Sequence, residues 1–285
     1  MCKFSPILLG LSLVVAGALP ASPQDQPMSN SAKKYLQVTV EYTKPGKGGM
    51  AHDKSENAFA QAMAKAKFPI HYVAYNALTG PPRAIYLSSF DSFAEVDKAN
   101  MAMAAPAVAG EFERLNAADG ELLENSKTLI FESQPELSYH SRTPGPTNRF
   151  LEAQVLMIRP GHTPEFEELI KMIMAADEKV GTKNHWGAYR IRFGEQANTY
   201  VLLTAADSMA DFDEIFSIQP KYMASLSDGD KKKMNELRSS TIESSHSELY
   251  SVNPKQSYAP DEYIKSDPGF WKPKPAAAPE KKATP

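Results

Sequence analysis

The chain can be laid over itself at a shift of about 115 positions, and a fixed internal period restricts the fold more than any single motif does. Tyr35 to Gly46 aligns on Phe150 to Gly161 without a gap, each segment reading as a strand that ends in a basic-Pro-Gly turn. His71-Tyr72-Val73-Ala74-Tyr75 aligns on His185-Trp186-Gly187-Ala188-Tyr189, and Gly80 and Tyr86 then fall on Gly194 and Tyr200. Further on, Asp91-Ser92 and Asp207-Ser208 each precede an acid-bearing first helical turn, which marks a helix N-terminus. Pro135 to Tyr139 aligns on Pro254 to Tyr258.

Hydrophobic periodicity fills in the rest of each copy. Ala58, Phe59, Ala62, Met63 and Ala66 recur at helical spacing, as do Phe166, Leu169, Ile170, Ile173 and Met174. A second helical region runs from Ala94 to Leu123 and from Met209 to Leu237, broken near Pro106 and Pro220. Leu129-Ile130-Phe131 and Leu249 to Val252 supply a fourth strand. The order is β-α-β-β-α-β, the split ferredoxin-like unit, written twice. The expected class is therefore α+β: two tandem ferredoxin-like repeats packed sheet to sheet, with helices on one face of each antiparallel sheet. In the first strand, Leu36, Val38, Val40 and Tyr42 point one way and Gln37, Thr39 and Glu41 the other. The polar set is expected to line a semi-polar interior between the sheets, joined in the second copy by Leu156 and Ile158.

Over residues 35–258 this order, the half-length of about 110 residues and the duplication resemble the dimeric α/β-barrel superfamily, which includes antibiotic-biosynthesis monooxygenases and NIPSNAP-like proteins. The resemblance implies an intramolecular dimeric α/β barrel with a ligand pocket near sheet and helices. Members range from haem-degrading and quinol-oxidising enzymes to proteins without assigned chemistry. The Asn, Trp and His set of the haem-degrading members has no counterpart here that can be placed residue by residue.

Candidate ligand-binding residues come from the matching strands. Period-two geometry puts His71, Val73 and Tyr75 on one face, and His185, Gly187 and Tyr189 on its counterpart. Such a His-Tyr pair either handles a proton or, in the plainer reading, caps a strand and packs. Tyr86 and Tyr200, on the next strand, either join that cluster or belong to the core. Arg190 and Arg192 occur in the second copy alone, opposite Asn76 and Leu78, and read as an anion-binding pair or a solvated face. If one half does chemistry, this asymmetry points to the second. His162, Glu165 and Glu168 make too thin a metal set, because a helix N-terminus already favours acids, so neither metal nor cofactor is expected. Phosphate-cradling glycine loops, nucleophile elbows and zinc-cysteine patterns are lacking in the sequence.

Residues 6–18 form an uncharged apolar run after Lys3, shorter than the roughly 20 residues of a bilayer span, with small residues from Ala16 to Ala21. They read as an export signal over residues 1–21, which implies a periplasmic or secreted protein. Residues 22–34 then read as a disordered start, 35–139 as the first repeat, 140–149 as a linker, 150–258 as the second repeat and 259–285 as a Pro/Lys/Ala-rich tail. Cys2, the single cysteine, falls inside the signal, so stability rests on core burial. Losing Lys3 with that signal moves the formal charge from −3 to −4, which argues against nucleic acid as a partner. No membrane span follows the signal, and the chain is expected as a monomer with an internal pseudo-dimer or as a homodimer. Three functions follow: binding of a small, partly apolar ligand; a cofactor-light monooxygenase or oxidoreductase; or an envelope scaffold acting through Phe270-Trp271 in the tail, a pair that either docks on the domains or stays exposed to bind a partner.

Overall fold

A computed structural model describes residues 33–141 and 144–272. The expected signal, most of the mature start, linker positions 142 and 143 and the tail beyond 272 lie outside the described residues. In chain order, β1 (Tyr35–Thr43), α1 (Met50–Ala66), β2 (Val73–Ala77) and β3 (Arg83–Phe90) are followed by α2 (Phe93–Met103), α3 (Ala109–Gly120) and β4 (Leu123–Ser133). Then come β5 (Phe150–Ile158), α4 (Thr163–Val180), β6 (Gly187–Phe193), β7 (Thr199–Ala206), α5 (Met209–Ser217), α6 (Gln219–Ser225), α7 (Asp228–Thr241) and β8 (Ile242–Val252). Two short helices, α8 (Asp261–Ser266) and α9 (Pro268–Trp271), end the described chain.

The eight strands close a barrel in the hydrogen-bonded order β1-β3-β2-β8-β5-β7-β6-β4, every pair antiparallel. Within the first half, β4 and β2 are the outer strands; in the second, β8 and β6 are. Left unpaired, each would expose a row of backbone donors and acceptors. Pairing β2 with β8 and β4 with β6 satisfies all four at once, so the sheets join edge to edge as well as facing each other. At both seams the same bond recurs: Ala74 N donates to Ser257 Oγ, and Ala188 N to Ser138 Oγ, each at 2.9 Å.

The barrel interior is apolar, against the expectation. Leu36, Val38 and Val40 from β1 meet Leu151 and Ala153 from β5, Val201, Ile191 and Phe131 inside it. An eight-stranded barrel is just wide enough for side chains to fill, and apolar ones are buried there without needing partners. Gln37, Thr39 and Glu41 face outward, beneath the helices, as do Leu156 and Ile158. Helices α2 and α3 break at 104–108, around Pro106, and Pro220 sits in the first turn of α6. Among the described residues no helix is long and apolar enough to cross a membrane.

Candidate functional site

The eight candidate residues come from the matching β2–β3 and β6–β7 strand pairs and the residues just ahead of them, and the fold separates them. Tyr75 and Tyr189 point into the barrel, whereas Tyr86 and Tyr200 lie on the outer face under α1 and α4. Adjacent strands in register share a face only at opposed positions, and Tyr86 opposes Ala74 and not Tyr75. His71 lies ahead of β2 and stacks on Tyr258 with ring centroids 4.4 Å apart, so it does not share the face of Tyr75. His185 Nε2 is 2.8 Å from Ala205 O and its Nδ1 3.2 Å from Lys183 O. A neutral ring carries one N–H and donates to one of these two carbonyls, which ties it to backbone, and the side chain forms part of the wall of the second-half cavity described next. Arg190 bonds Asn198 Oδ1 at 2.9 Å, and Arg192 pairs with Glu132 on the outer face, so the asymmetric arginines are held by neighbours. His162 is 3.9 Å from Glu165, but Glu168 pairs with Lys233 and does not join them.

What the second half encloses is a cavity of about 330 Å3 between the outer face of its sheet and helices α4 to α7. Its walls are Leu156, Phe166, Ile170 and Ile173, with Trp186, Leu202 and Tyr222. Glu152 and Gln154 reach it because outward positions of β5 alternate with the barrel-facing ones. At one end, buried Asp177 accepts from Thr182 Oγ1 at 3.1 Å and from Asn184 Nδ2 at 2.9 Å. Burial pushes the Asp177 carboxyl up, against the pull of those two donors. Asn184 Oδ1 is buried with no hydrogen-bond partner. An unmet buried acceptor costs about 1–3 kcal/mol.

A second cavity, of about 320 Å3, lies inside the barrel. Its polar mouth is already satisfied. Arg83 donates to Tyr250 Oη from Nε at 3.1 Å and from Nη2 at 3.0 Å and pairs with Glu248, to which Tyr250 Oη donates at 2.5 Å.

Under α1 in the first half, four ionisable side chains meet that sequence reasoning missed. Glu41 projects outward from β1, His52 and Glu56 lie one turn apart on α1, and Asp119 ends α3. His52 Nε2 is 3.1 Å from Glu41 Oε2 and 3.8 Å from Asp119 Oδ1. Burial first, and then the Glu41 and Asp119 carboxylates, push the Glu56 carboxyl up to about 9. Burial also raises Asp119, with Glu41 adding to it and Ser55 and His52 opposing. The signal that would have located the set is His52-x-x-x-Glu56, two ionisable residues on one helix face.

The tail does not present an exposed aromatic pair. Trp271 is 5% exposed and donates to Pro146 O at 3.0 Å, while Arg149 lies 3.8 Å over the Phe270 ring and pairs with Asp267.

No family model matches the sequence, and no curated protein matches it. Among solved structures, the chain is similar to a candidate monooxygenase from Fusobacterium nucleatum subsp. nucleatum ATCC 25586, with 14% identity and a TM-score of 0.53, over 78% of this chain and 93% of that one. It is also similar to a candidate monooxygenase from Lactobacillus acidophilus NCFM, with 7% identity and a TM-score of 0.48, over 77% and 94% of the two chains. The first likeness shows a shared fold, and the closed eight-stranded antiparallel barrel with helices outside it is compatible with the dimeric α/β-barrel architecture.

Proposed function

We propose that this is an exported ligand-binding protein, built by tandem duplication of one β-α-β-β-α-β unit, that holds a small, partly apolar molecule in the second-half cavity. The observation that carries the reading is a mostly apolar cavity of about 330 Å3 lined in part by Asn184, whose buried Oδ1 has no hydrogen-bond partner. That volume is at the small end of ligand pockets, roughly 300–1,000 Å3, and apolar walls with a few placed polar groups are their usual make-up. The chemistry of the wall selects a flat or branched apolar body carrying one hydroxyl or N–H donor. Export is supported by the apolar run at 6–18, and duplication by the recurrent turns and by the seam bonds at Ser138 and Ser257.

Calorimetric titration with a panel of small phenols, quinols and aromatic amides tests this. Binding at one site is expected, weakened at least tenfold, or about 1.4 kcal/mol, by Ile173→Phe, which fills the cavity, and by Asn184→Ala. Binding indifferent to both substitutions would place the ligand elsewhere and end the reading.

An oxygen-dependent oxidation of the same ligand is the second reading. What favours it is the fold shared with the Fusobacterium protein, and a fold hosts many chemistries. The His-Tyr proton relay does not support it, since His185 lines the cavity on the outer face of the sheet and Tyr189 packs on the barrel-facing side. Oxygen uptake with a bound quinol would establish the reaction, and silence across the panel would leave binding alone.

A further inference from the structure

We propose that Glu41, His52, Glu56 and Asp119 form a binding site for a single divalent transition-metal ion, of the Zn2+ or Mn2+ class, that ties β1 to α1 and α3. Each residue offers one ligand atom, and the four atoms lie within 4.8 Å of one another. Metal–oxygen and metal–nitrogen bonds of about 2.0–2.2 Å put neighbouring ligands of a tetrahedral ion roughly 3.4 Å apart. The separations of 3.1 Å and 3.8 Å from His52 Nε2 to Glu41 and Asp119 bracket that value. Only small side-chain shifts are needed to close the set on an ion.

Three carboxyls packed round one imidazole are hard to explain as packing. His52, Glu56 and Asp119 are 2%, 5% and 3% exposed, and buried carboxyls this close together need either a retained proton or a bound cation to offset their repulsion. At the matching strand position of the other half the chain places Leu156, which packs with Phe166 and Ile170 in an ordinary apolar layer. The fold therefore has an apolar solution at this position, and the first half departs from it.

A second observation points into the cluster from outside it. Tyr86, 8% exposed, directs its phenol toward Glu56, yet its hydroxyl closes no hydrogen bond of good geometry. Asp119 Oδ1 is likewise buried without a hydrogen-bond partner. Tyr200, at the matching place in the second half, is buried against Phe166. A cation bound by the carboxylates would take up Asp119 Oδ1, and Tyr86 would donate to the carboxylate oxygen that the ion leaves free. On the far side of His52, Gln256 Nε2 lies 3.4 Å from Nδ1 and donates to Asp53 Oδ1 at 3.1 Å; a ring that ligates through Nε2 carries its proton on Nδ1, and a turn of the Gln256 amide would bring its buried, partnerless Oε1 round to accept that proton. One imidazole with three carboxylates suits a first-row transition ion, whereas Ca2+ takes six to eight oxygens and Mg2+ keeps most of its waters.

Isothermal titration of the untagged mature protein, stripped with chelator, against Zn2+, Mn2+, Mg2+ and Ca2+ decides the matter. One equivalent of Zn2+ or Mn2+ is expected to bind at least 100-fold tighter than Mg2+ or Ca2+. Glu41→Leu installs the residue type that the second half carries at Leu156, and Glu56→Gln keeps the shape of the side chain. Each is expected to weaken the transition ion at least 100-fold while leaving the far-ultraviolet circular dichroism unchanged. Failure of every ion to bind tighter than millimolar would overturn the proposal, as would binding that Glu56→Gln leaves intact.

Discussion

His185 and Asn184 are neighbours in sequence with opposite fates: the ring of one is tied to backbone carbonyl, while the amide oxygen of the other is left buried and unmet. Nothing in the string His185-Trp186-Gly187-Ala188-Tyr189 separates those outcomes, because they depend on where Ala205 and Asp177 arrive from other elements. Glu56 is the same case. Its raised carboxyl follows from burial beside two other acids, and those come from β1 and α3. Because the folded-state value of about 9 lies above the ordinary 4.5, folded protein binds more protons than unfolded protein between those limits. Stability of the metal-free protein is therefore highest below about 4.5 as far as this group is concerned, and is lost as pH rises toward 9. Melting temperatures in chelator from pH 5 to 9 should fall less steeply for Glu56→Gln than for the natural chain. Parallel curves would show that Glu56 is ionised throughout.

At the scale of elements, the apolar stripe of α4 was legible as it stood: Phe166, Leu169 and Ile170 are all buried. In α1 the stripe Ala58, Phe59, Ala62 and Met63 is real but faces α3 through Phe112 and Leu115, and the stripe turned to the sheet is His52, Glu56, Ala60 and Met63. Periodicity reports that a face is apolar without saying which neighbour covers it. The fourth strands were longer than their apolar cores, reaching Leu123–Ser133 and Ile242–Val252, because their polar first halves still pair with β1 and β5. Turn positions carried over well. Gly194 has φ +92, and a Cβ there would stand 2.4 Å from the Thr128 carbonyl oxygen at the β4–β6 seam. Gly194→Ala is expected to cost about 2 kcal/mol or more, through left-handed strain and the displaced seam strand, read as a drop in urea midpoint at constant slope. A loss under about 0.5 kcal/mol would show that the seam yields easily.

On the scale of the molecule, the doubled element order was legible and the closure was not, since pairing β2 with β8 and β4 with β6 joins residues far apart in sequence. The described end of the chain reinforces that closure by packing α9 on residues 144–149, with Tyr263 also bonding Pro144 O. Trp271→Ala should cost about 3–5 kcal/mol, the usual penalty for emptying a buried aromatic site, measured by chemical denaturation. A change within 0.5 kcal/mol would mean that this contact is dispensable. The proposed function requires a small ligand between the second-half sheet and its helices. Trp186 lines that cavity, and the chain has two tryptophans, so Trp271→Phe leaves Trp186 as the single indole reporter. In that variant, titration with the ligand found by calorimetry should change Trp186 emission along the same saturation curve as the heat of binding. Saturable binding with Trp186 emission unchanged would contradict that placement and move the ligand to the barrel interior or the surface.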